Sequence, residues 1–134
     1  MPLCDYFVAS SAELQTVRAE GVSAKLLKVE AKGFDMVPIA ALAHRLDVAH
    51  AVDPGKPFIH GEDFEWFVQR LTTPMLDALS GLDADAVAKH GSAIAKIPEL
   101  EWRPKDVQAL LRSLVTLANA AKKANKSMYM WVSA

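Results

Sequence analysis

One cysteine is too few for an intrachain disulfide, so no covalent staple within the chain holds this protein folded. A lone Cys4 also makes a reducing, cytoplasmic setting the natural expectation. Glycine is scarce, with six in 134 residues, and none of them forms a phosphate-cradling loop. The chain has no GxSxG elbow, no HExxH and no paired cysteines, so no cofactor is expected. Neither charge sign dominates. Fifteen basic and sixteen acidic side chains leave a net charge of −1, which gives no footprint for nucleic acid or an anionic membrane. Long hydrophobic runs are missing as well. The longest covers residues 36–43, against the roughly 20 residues that a membrane span needs. Asp5 interrupts the first apolar run and no basic segment precedes it, so a signal peptide is not expected.

What is present is the composition of a folded domain, with 51% apolar and 23% charged residues. A single domain over 1–134 is expected. The stretch "PLCDYFVA" is rich in strand formers and leads into "SSAE", where Ser10 and Glu13 make a capping box. A strand at about 3–9 and a helix at about 11–20, ended by Gly21, follow from this. "LLKVEAKG" alternates, with Leu27, Val29 and Ala31 on one face and Lys28, Glu30 and Lys32 on the other, as a half-buried strand does. Asp35 is a suitable N-cap for a helix whose stripe is Ile39, Leu42, Ala43 and Leu46. "VDPGKP" reads as a loop.

The segment 58–71 admits two readings. A helix would align Phe64, Phe67, Val68 and Leu71, whereas a hairpin would pair "PFIH" with "FEWFVQRL" across "GED". The hairpin is preferred because Thr73 and Pro74, at N-cap and first-turn positions, begin a new helix there. That helix runs to Gly81, and Asp83 caps another that reaches about Ile97. The last helix opens at Pro104, carries Val107, Leu110, Leu111, Leu114, Leu117, Ala118 and Ala121 on one face, and ends at Asn125. "SMYMWVS" then reads as a strand with both faces apolar, placed centrally and paired with the N-terminal strand. The expected fold is α+β: four or five strands, mostly antiparallel or mixed, with helices packed on the sheet.

Several of these landmarks resemble a family of small uncharacterised proteins, mostly from actinobacteria. The matching residues are Cys4 to Phe7, Lys32 to Asp35, Leu76 to Leu79, and Tyr129, Trp131 and Ser133. The family opens on a CDYF strand and closes on an aromatic strand of the form Leu-Tyr-x-Trp-x-Ser. In layout the chain is also similar to YfbM-like domains of unknown function. The resemblance implies the fold and no reaction. Met36 stands where proline often follows the aspartate, and Met130 and Val132 stand where cysteine is common. A cysteine-based centre at the C-terminus therefore finds no support.

Candidate chemistry is sparse. Asp5 and His60 are the candidates for catalysis, and Asp5 could share a polar pocket with Tyr6, Tyr129 or His60. His44, Asp47 and His50 offer imidazole and carboxylate ligands suited to a metal, with a solvated helix face as the simpler reading. His90 reads as a surface residue and Cys4 as a buried strand cysteine. Trp102 beside Arg103, between Pro98 and Pro104, has the composition of an interface hot spot, with a loop tryptophan lidding its own core as the alternative. The favoured expectation is a non-enzymatic cytoplasmic binding or protein-interaction domain, engaging a protein partner or a second copy of itself. The alternative is a small-ligand or metal-dependent enzyme with a pocket near Asp5, Tyr6, His44 and His60.

Overall fold

The computed structural model describes residues 2–134. Five strands form one antiparallel sheet: β1 (Leu3–Ala9), β2 (Lys28–Glu30), β3 (Ile59–His60), β4 (Trp66–Arg70) and β5 (Ser127–Ser133). Their spatial order is β2-β1-β5-β4-β3, so the last strand in the chain occupies the centre. β5 aligns with β1 over seven positions, from Leu3 opposite Ser133 to Ala9 opposite Ser127. On its other side it pairs with β4, from Trp66 opposite Ser133 to Arg70 opposite Tyr129. The α+β fold and the pairing of the N- and C-terminal strands are as the sequence patterns anticipate.

Alternation along the strands divides the core in two. Cys4, Tyr6, Val8, Met128, Met130 and Val132 face the larger cluster, built with the helices α2 (Met36–Arg45), α3 (Thr73–Ser80), α4 (Ala84–Ile94) and α5 (Pro104–Ala124). Phe7, Ala9, Val68, Tyr129 and Trp131 face the other way and are covered by Leu14, Val17 and Val22. α5 buries all seven residues of its anticipated stripe and ends on Asn125 in the left-handed conformation. Segment 58–71 is a hairpin, with a 3₁₀ turn at Glu62–Phe64 between β3 and β4.

Four local expectations are corrected. The helix at 11–20 is a single turn, α1 (Ser11–Leu14), despite its complete Ser10–Glu13 capping box. The chain leaves it because Val17 and Val22 must reach back over the sheet, and because the Trp131 indole donates to the Arg18 carbonyl at 3.1 Å. Asp35 holds the N-cap position of α2, yet its side chain makes no capping bond. Thr72, not Thr73, caps α3, its hydroxyl accepting from the Met75 amide at 3.2 Å. α4 stops at Ile94, short of Ile97.

Candidate functional site

The four residues of the anticipated enzyme pocket do not converge. Asp5 and Tyr6 are neighbours on β1 and therefore point to opposite faces of the sheet. Tyr6 is fully buried and its hydroxyl donates to the Phe34 carbonyl at 2.7 Å, while burial pushes its pKa well up. Cys4 sits beside it, its thiol directed at the same carbonyl at 3.5 Å. Burial, reinforced by the charge of Asp35, raises the Cys4 pKa far above the range in which a thiolate nucleophile forms. His60 lies on β3, with β4 and β5 between it and β1. Its Nδ1–H donates to the Gly61 carbonyl at 2.9 Å and its ring stacks on Phe64 at 4.2 Å.

The histidines of the metal candidate also separate. His44 is on the exposed side of α2. Asp47 lies past the end of that helix in a left-handed conformation, φ 58°, so it does not share the helix face of His44. Among the described residues, no three His, Cys, Asp or Glu side chains lie close enough to hold a metal ion. His90 accepts from the Arg45 Nε at 3.0 Å, joining α4 to α2, and its pKa is lowered by burial and then by Arg45. Trp102 is half-buried, its ring 5.8 Å from that of Phe34 and tilted against it. Arg103 pairs with Asp106 at 3.0 Å in the first turn of α5.

What the fold does assemble is a cleft of about 280 Å³ between α2, the loop 49–55 and β4. Ile39, Ala40 and Ala43 of α2 give it an apolar wall, with Met36 at the helix start. The opposite wall is the loop, which is fixed to the end of β4 by backbone pairing. Asp53 N–H donates to the Arg70 carbonyl at 2.9 Å, and Thr72 N–H to the Ala51 carbonyl at 3.0 Å. The Thr72 hydroxyl adds a bond to the His50 carbonyl at 2.7 Å. Asp53 is held by Arg70, Nε to Oδ2 2.7 Å, and this bond raises the guanidinium pKa further. His50 and Asp53 also border a second hollow of about 320 Å³, reached past Thr73 and Pro74.

Gln69 lines this cleft from the sheet side. It is 8% exposed, and its Oε1 has no hydrogen-bond partner. A buried amide oxygen left unpaired costs on the order of 1–3 kcal/mol, so such groups call for an explanation. His50, a candidate metal ligand by sequence, stands at the rim of the cleft. Gln69 and Arg70 are not among the sequence candidates. The available signal was the polar residue at an inward position of "FEWFVQRL", where Phe67 and Leu71 lie on the same side.

No family model, curated protein or solved structure matches the chain. Among the described residues, no helix is long and apolar enough to cross a membrane.

Proposed function

We propose that this protein is a non-enzymatic binding domain whose site is the cleft between α2, the loop 49–55 and β4. The observation that carries this reading is the unpartnered Gln69 Oε1, buried on the wall of an apolar hollow. Ligand sites combine such walls with a few placed polar groups. A scaffold supports it well, since Gln69 projects from a paired strand and the loop is tied down by three hydrogen bonds. A chemically diverse fragment set followed by amide correlation spectra of the full chain tests it. Hits should displace the resonances of residues 49–55 and of Gln69. Hits that cluster elsewhere, or none at all, would overturn the assignment.

A protein partner or second copy is the competing reading of a binding domain, favoured by Phe58 and Phe64, 51% and 50% exposed near the outer strand β3. Sedimentation over a range of concentrations separates the two, because a self-associating chain gains mass without any fragment. The lone, buried Cys4 supports a cytoplasmic location within this proposal. Membership of the CDYF family belongs to it too. Its support is that two of the shared motifs meet: Cys4 and Tyr6 of the first direct their side chains at Phe34 of the second.

A further inference from the structure

Resting on that reading of the cleft, we infer that its ligand is a small uncharged molecule with an apolar body and a carboxamide or lactam edge. The cleft is bordered by the carboxylate of Asp53, and Arg70 already neutralises it at 2.7 Å. Gln69 carries no charge, and α2 contributes Met36, Ile39, Ala40 and Ala43. His50, the remaining side chain of the lining that can carry charge, stands exposed at the rim, so an ionic group placed against the inner walls would lose its hydration with no countercharge beside it, which is strongly unfavourable.

The polar edge of the ligand follows from Gln69. A side-chain amide offers an acceptor and a pair of donors, and a half-turn about its last bond exchanges them. Gln69 sits opposite the apolar Met130 in the sheet, and its Oε1 has no partner. A ketone or an ether only accepts, and an alcohol carries both functions on a single oxygen. A planar carboxamide or lactam satisfies both at once, through two parallel N–H···O bonds. Sites of this kind discriminate sharply, because the wrong ligand leaves a buried group unpaired.

The test uses benzamide, toluene, acetophenone and sodium benzoate, titrated into the full-length chain and followed by amide correlation spectra. Benzamide should move the resonances of residues 36–43 and 49–55 and of the Gln69 side-chain amide. Acetophenone, toluene and benzoate should each bind at least tenfold more weakly, a difference of about 1.4 kcal/mol. Gln69→Leu should reverse the preference between benzamide and toluene while melting no lower than the parent. Ala40→Trp, on the exposed side of the wall, should block all the neutral probes, an independent measurement should the first variant fold poorly. Toluene binding in the cleft as well as benzamide does would overturn the ligand class and leave the cleft standing. No probe acting on the cleft would overturn both.

Discussion

Asp5 is the charged side chain that this fold has most difficulty housing. It lies on β1 opposite Trp131, with Glu30 on the neighbouring strand and Lys28 3.8 Å away. Burial raises its pKa; Lys28 pulls it down, Glu30 pushes it up, and the net shift is upward from the ordinary 3.8. The native carboxyl thus holds its proton to higher pH than the unfolded one does. Between 3.8 and the raised value the native state binds more protons, so stability falls as pH rises through that window. Asp5→Asn should therefore stabilise the protein at pH 7, and the gain should vanish below 3.8, where both states are protonated. Urea midpoints at pH 7 and pH 3 measure it. A variant less stable at pH 7 would mean that the Lys28 pair outweighs burial. Asp5 is conspicuous in the sequence because it interrupts an apolar run, whereas Gln69 is hidden. Its inward orientation depends on the strand register, and its lack of a partner depends on residues from β5 and α2.

At the scale of elements, α4 packs on α5, and Gly91 makes the close contact possible. A Cβ there would lie 3.2 Å from both Cα and N of Gln108 and 2.5 Å from its Cγ. Gln108 is also held, its Nε2 donating to Ser92 Oγ at 3.0 Å and to the Ala88 carbonyl at 3.3 Å. Alanine is the better helix former by about 1 kcal/mol. Overpacking a fixed backbone costs about 1–3 kcal/mol, so the steric term should win. Gly91→Ala is expected to lower the urea midpoint; a rise would show that the two helices separate freely. The same contrast between local and distant causes explains which elements are legible in sequence. α5, the hairpin and β5 follow from periodicity and from Pro104, Asn125 and the Gly61 turn, all within the segment. α1 does not, because its extent is set by Trp131, 113 positions from the Arg18 carbonyl that it binds. The cleft is similarly obscure, since it arises where residues 51–53 pair with 70–72.

For the molecule as a whole, the decisive fact is that the sheet is completed from its middle by the last strand. β1 with β2 and β4 with β3 are two antiparallel pairs with no direct ladder between them until β5 is inserted. Met128, Tyr129, Met130, Trp131 and Val132 are all buried, the methionines and Val132 in the larger core and the aromatic pair in the smaller. At roughly 1.5–3 kcal/mol for each large buried side chain, their removal is comparable with the whole stability of a typical domain, about 5–15 kcal/mol. The backbone loss adds to this, because β1 and β4 would each expose a row of unpaired groups. Deleting residues 128–134 should therefore abolish the cooperative thermal transition in far- and near-ultraviolet circular dichroism. Deleting Ala134 alone should be nearly silent, since it is exposed and contributes one bond, from its amide to the Glu65 carbonyl at 3.0 Å. The comparison separates the strand from the chain end as such. Were the longer deletion to retain a sharp melt near that of the parent, β1 and β4 would have to be joined in some other way, and the central place of β5 would be wrong.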